Sequence, residues 1–214
     1  MRNWLFEEAK NPTIVTKILD LMGLNLIFIL SCLPLLTIGA SLTSLYSVTL
    51  KMADPDRDYF LIKDYMSAFK KNFLQSTTVM GVILLKVALL IGIIFLINHA
   101  ADGSEPSLLV TAPFLVIVTI IGFVVMYSFP LVAYFENTTR QVFKNAFIMS
   151  FHQMAKSIVL FLIALIIIVV LPLFFTGLWF LWLLLAFSLT AYLQSLILIR
   201  IFKSYTNTKT KEEK

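Results

Sequence analysis

The sequence predicts an all-α fold: a polytopic helical membrane bundle of six spans, or four plus a re-entrant hairpin, with two amphipathic cytoplasmic surface helices. Three observations carry this. Of 214 residues, 59% are hydrophobic and only 14% charged, and the mean hydropathy is +0.92. Soluble domains carry about 25% charged residues, so too little polar surface remains to coat a globule of this size, and lipid must be the solvent for much of it. Several apolar runs reach the about 20 residues that a transmembrane helix needs. Lysine and arginine gather between those runs rather than inside them. One integral membrane domain is expected over 1–214, ending in a polar, basic tail (200–214) expected to fray.

Four runs span easily: Leu74–Asn98, Leu108–Phe135, Ser157–Phe174 and Leu178–Ile199, the last two joined by "PLFFTG". Ahead of them, Ile14–Leu33 and Leu35–Ala53 hold twenty and nineteen residues. Each can cross as a helix at about 1.5 Å per residue. Pro34 stands at their join, where a helix breaks readily.

Basic residues set the sidedness. The residues before Ile18 hold Arg2, Lys10 and Lys17. Lys51 stands at the end of the second run, and Arg57, Lys63, Lys70 and Lys71 follow it. Arg140, Lys144 and Lys156 follow Phe135, and the tail holds Arg200, Lys203, Lys209, Lys211 and Lys214. The "HAADGSEPS" loop (His99–Ser107) and "PLFFTG" hold none. The positive-inside rule places the four basic regions and both termini in the cytoplasm and the two bare loops outside. The chain from Ile14 to Ala53 must then cross twice or dip and return. The net charge of +5 reads as topology anchoring at an anionic membrane face, not as a nucleic-acid site. No small-x-small site follows a short apolar run, so no cleavable leader is expected.

The second span is rich in small residues: Gly39, Ala40, Ser41, Ser44 and Ser47. Such residues let backbones approach closely where van der Waals packing drives association. A buried packing helix is the preferred reading, with one wall of a polar cavity as the functional alternative. Two cytoplasmic segments show helical periodicity. In one, Ile62, Tyr65, Met66, Phe69 and Phe73 oppose Lys63, Asp64, Ser67, Lys70 and Lys71. In the other, Phe143, Phe147, Phe151 and Met154 oppose Arg140, Lys144, His152 and Lys156. Both read as helices along the inner surface, aromatics toward lipid or bundle. Asp58 and Thr138 or Thr139 are the expected N-caps. "SAFKKNFLQS" and "MSFHQMAKSI" hold matching places, which suggests a parallel repeat of two span–surface helix–span units.

Lys86 is the one basic residue inside a span. An intramembrane charge costs at least about 2.5–3.5 kcal/mol on insertion scales, so it needs a partner or a wet cavity. Asp20, two turns inside the first span, is the candidate partner, and Asn25 could add a hydrogen bond. A bundling ion pair is the structural reading; a polar site for an anion, a proton or a sugar hydroxyl is the functional one. Tyr127, Ser128, Tyr192, Gln194 and Ser195 read as interhelical hydrogen bonders, with sugar binding by their phenol, amide and hydroxyl groups as the functional alternative. Cys32, the single cysteine, can form neither an internal disulfide nor a metal cluster. No P-loop, zinc-protease or serine-hydrolase motif is present, and Asp20 alone cannot make an aspartyl pair. An enzyme, a cofactor and a metal are therefore not expected.

The run Leu33, Pro34, Thr37, Ile38, Gly39, Ala40, Leu45, Tyr46 and the stretch "AFKKNF" (Ala68–Phe73) resemble the YesL family of bacterial membrane proteins. The likeness is sharp over Ile18–Ser76 and rests beyond that on span order and "FENTTRQVFKNAF". It implies a multi-pass plasma-membrane protein encoded beside carbohydrate ABC importers and glycan-degrading enzymes in Gram-positive bacteria, hence an accessory role in sugar uptake. It supplies no catalytic residue. A small autonomous transporter and a membrane-bound regulator of sugar utilisation are the competing readings. The Asn137–Lys156 segment lacks the Glu-Ala-Ala and glycine pattern of an importer permease's coupling helix.

Overall fold

The computed structural model describes residues 14–100, 108–174, 177 and 179–212. The basic residues Arg2, Lys10 and Lys214 and the expected outer loop at 101–107 lie outside them. Every regular element among the described residues is helical: α1 (Ile14–Cys32), α2 (Ile38–Ala53), α3 (Leu61–Ala100), α4 (Leu108–Tyr134), α5 (Thr139–His152), α6 (Met154–Ala164), α7 (Leu171–Phe174) and α8 (Trp179–Glu212). A 3-10 turn at Leu35–Thr37 follows Pro34, and a π-helical stretch at Leu165–Val170 joins α6 to α7.

Five segments are long and apolar enough to cross a membrane: Ile14–Cys32, Leu61–Ile97, Ala112–Tyr134, Met154–Phe174 and Trp182–Thr206. They match five of the six expected spans. The sixth differs. α2 has 16 residues, eleven of them buried, and is about 24 Å long at the helical rise. It touches α1, α3, α4 and α8, so it is the centre of the bundle rather than one of its walls. Its hydroxyls make that burial tolerable. Ser41 and Ser44 donate to the carbonyls of Thr37 and Ala40 at 2.9 and 2.7 Å. Thr43 pairs with Ser76 of α3 at 2.7 Å, and Thr49 with Ser195 of α8 at 2.9 Å. Tyr46 donates to the Gln194 side chain. A buried polar atom costs little once its partner is in place.

The first expected surface helix is not a separate element. Leu61–Phe73 is the opening of α3, an unbroken helix of 40 residues. Its Leu61, Tyr65 and Ala68 are buried, and the helix packs most extensively on α2. Asp58 does not cap it; the Phe60 N–H donates to the Asp64 carboxylate at 2.8 Å, so the acid one turn in serves the helix start. The second surface helix, α5, does stand alone. Thr138 is its N-cap, with the reciprocal Thr138–Gln141 capping box complete. Its buried stripe is Val142, Ala146, Met149 and Ser150, one position from the expected aromatic stripe, so Phe147, Phe151 and Met154 face outward.

The two repeat units therefore differ: α3 runs straight through, whereas α5 and α6 break at Gln153, whose φ −123 and ψ 47 leave the helical region. The π stretch frees a carbonyl, and Trp182 Nε1–H donates to Ile167 O at 2.8 Å. The tail does not fray where expected; α8 stays helical through Glu212.

Candidate functional site

A polar cleft of about 600 Å³ opens between the end of α2, the first turns of α3 and the α4–α5 connection. One wall is Ser47, Lys51, Asp64, Lys71 and Gln75; the other runs from Val132 to Gln141. α2 contributes by ending there, since its last turn carries Lys51, a cation suited to a helix C-terminus. Lys51 Nζ lies 2.9 Å from Asp64. Across the cleft Lys71 pairs with Glu136 at 2.5 Å, and that contact holds the Glu136 carboxyl below its usual range. Gln75 Nε2–H donates to Asn137 O at 2.5 Å. The opening of α3 and the start of α5 are thereby tied into one charged surface of convergent donors and acceptors.

A second charged cluster locks the same end of the molecule. Asp54, the C-cap of α2, has a side chain 1% exposed. Lys203 of α8 reaches Asp54 at 2.7 Å and Asp56 at 2.8 Å. Arg57 lies 3.5 Å from Asp54, and the Asp56 N–H donates to it at 3.2 Å. Burial pushes the Asp54 carboxyl up, but the hydrogen bonds from Lys203 and Asp56 and the two cationic charges bring it below its ordinary value. Arg57 also stacks 5.3 Å over the Tyr134 ring.

The residues singled out from sequence separate. Asn25 is buried and braces α1 on α8, donating to Leu183 O at 2.7 Å and accepting from the Ser188 N–H at 3.0 Å. Asp20 is buried and accepts from the Tyr59 hydroxyl at 2.8 Å. Lys86 does not join them. It is exposed, 5.4 Å over the Phe143 ring, beside a small groove with Ile83, Ile120 and Val124. The reason is the length of α3: Lys86 stands 22 residues, or about 33 Å of helix, beyond Asp64, while Asp20 sits near Tyr59 at the helix's other end. Gly39 marks a close α2–α3 approach, and Ser41 and Ser44 lie on the same buried helix. Phe69 stacks on Tyr65 and lies tilted against Phe73. Lys70, Lys71, Arg140, Lys144 and Phe147 are exposed. Asp54, Tyr59, Gln75 and Glu136 carry the charged end and were not singled out from sequence.

Separation has a measurable consequence. Lys86→Leu is expected to leave thermal stability in detergent unchanged or raised, because an exposed cation on an apolar face is removed. Asp20→Leu is expected to cost about 1–2 kcal/mol by removing the buried carboxylate that accepts from the Tyr59 hydroxyl. In the double variant the two effects should add within about 0.5 kcal/mol; recovery of stability would instead show that they pair.

Residues 21–99 match the family model DUF624, described as a protein of unknown function. The match covers less than half of the chain. It agrees with the YesL resemblance, YesL being the known DUF624 group. No curated protein and no solved structure matches the chain. The DUF624 segment runs from within α1 to the last turn of α3. It includes the Gly39 contact, Asp54 and one wall of the cleft, and leaves the facing wall, Glu136–Gln141, beyond the match.

Proposed function

We propose that this membrane protein is a non-enzymatic accessory component of carbohydrate ABC import, and that it docks on an importer through the charged cleft. One observation carries the docking surface: two charged segments more than sixty residues apart in sequence meet in a single open, polar cleft. The carbohydrate assignment rests on the YesL resemblance. Both termini and the cleft face the cytoplasm in this reading, because the basic segments share that side. A cysteine placed at Lys144 should then stay unlabelled by an impermeant reagent in intact cells; labelling there would reverse the orientation.

Purification in mild detergent tests the role. An importer permease or ATPase should co-purify with the wild-type chain. The double variant Lys71→Ala/Glu136→Ala should lose it while keeping its fold, since an exposed ion pair is worth at most about 1 kcal/mol. A chain that purifies alone and moves sugar into liposomes would replace the accessory reading with that of an autonomous transporter.

A further inference from the structure

A groove of about 320 Å³ opens between α6 and α8, lined by Ala155, Lys156, Val159, Ile197 and Arg200. Two cations from different helices converge on it, and no carboxylate lines it. Lys156 and Arg200 are both exposed. Neither has an ion-pair partner among the described residues, whereas Lys51, Arg57, Lys71 and Lys203 are all paired. The floor between the cations is aliphatic, and the surface continuing along α6 is apolar and open at Ile158, Val159 and Leu162.

Depth gives the cations a common address. Arg200 is 21 residues from Trp179 at the start of α8, or about 32 Å at the helical rise. Lys156 is 18 residues from Phe174 at the end of α7, or about 27 Å. The hydrocarbon layer is about 30 Å thick, so each cation sits one layer away from the far end of its hairpin. That is the headgroup level of one leaflet. The apolar floor then runs inward from the headgroups toward the acyl chains.

We propose that this groove binds one anionic phospholipid, with its phosphodiester between Lys156 and Arg200 and an acyl chain along Val159 and Ile197. The guanidinium offers a planar pair of donors to the two non-bridging oxygens. The ammonium adds a compact charge from the other side. A zwitterionic lipid carries its own cation into the site and meets repulsion there. A free phosphate would satisfy the cations but leave the aliphatic floor uncovered. Basic pockets between membrane helices on the anionic face recognise headgroups in this way.

The test uses the full chain in detergent, titrated separately with phosphatidylglycerol, phosphatidylcholine and inorganic phosphate, and read by native mass spectrometry and thermal unfolding. Phosphatidylglycerol should bind and raise the melting temperature; the other two should not. Lys156→Gln and Arg200→Gln should each weaken phosphatidylglycerol binding about fivefold, and the double variant about thirtyfold. Lys63→Gln, an exposed cation outside the groove, should bind as the wild type does. The wild-type preference for phosphatidylglycerol over phosphatidylcholine needs no variant and reads the proposal directly. Equal binding of the two lipids, a matching effect of inorganic phosphate, or undiminished binding by a folded double variant would each overturn it.

Discussion

Replacing Gly39 with leucine is expected to cost about 3 kcal/mol and most of the folded yield. A Cβ at this position would sit on the Ser76 carbonyl oxygen and 3.0 Å from Met80 Cβ. The first obstacle is backbone and cannot rotate aside, so α2 and α3 must separate. Overpacking of this kind costs about 1–3 kcal/mol. Separation also strains the Thr43–Ser76 hydrogen bond, 2.7 Å long and buried, worth about 1 kcal/mol. Gly39→Ala should show a smaller loss of the same sign. Gly81 supplies the control, because a Cβ there meets nothing within 4 Å. Gly81→Ala should stabilise by up to about 1 kcal/mol through helix propensity. One substitution type with opposite signs at two glycines of the same bundle separates close packing from propensity. Wild-type melting of Gly39→Leu in detergent would remove the close approach from the account of the fold.

Asp54→Ala is expected to destabilise by about 2 kcal/mol, in the range for hydrogen bonds to charged groups. The substitution removes the acceptor that holds Lys203 and Arg57 and so unties α2 from α8. Lys203→Gln should also destabilise, because it leaves a carboxylate that is 1% exposed with weaker support. The pH dependence follows from the lowered folded-state pKa of Asp54. A carboxyl with a depressed pKa stabilises the fold fully above its unfolded value of about 3.9. That contribution is lost as pH falls through the lower folded value. The melting temperature of the wild type should therefore fall between about pH 4 and the folded pKa by more than that of Asp54→Ala. Parallel melting curves for the two proteins across that window would count against the buried clamp.

The apolar helices were legible because length and hydropathy alone decide them, and α4, α6 and α8 needed no tertiary information. The Thr138–Gln141 cap was legible too, as a short-range pattern. The continuity of α3 was hidden by the polar run Lys70–Thr78, which interrupts the apolar signal without interrupting the helix. Its readable trace was an absence: no proline or glycine occurs between Leu61 and Met80. The tail was misjudged for a related reason, since its polarity says nothing against helix in a stretch free of breakers. Asp54 could not be chosen in advance. Asp54, Asp56, Asp58 and Asp64 lie within eleven residues, and which one is buried depends on Lys203 arriving from 149 residues away. The cleft was out of reach on the same grounds. Asp20 and Lys86 looked like partners because depth was counted from assumed span ends, and the true start of α3 moves one of those ends by more than three turns.

An α3 of 40 residues is about 60 Å long, twice the hydrocarbon thickness. Its crossing with α2 at Gly39 and Ser76 divides it unequally. The arm from Ser76 to Leu61 is about 22 Å, and the arm from Ser76 to Ala100 about 36 Å. A rigid α3 would act as a lever with its fulcrum at the glycine. A tilt of about 10° about that point moves the Leu61 end by about 4 Å and the far end by about 6 Å in the opposite sense. A pull at the Leu61 end of a rigid α3 would be passed, with a gain above one, to its Ala100 end.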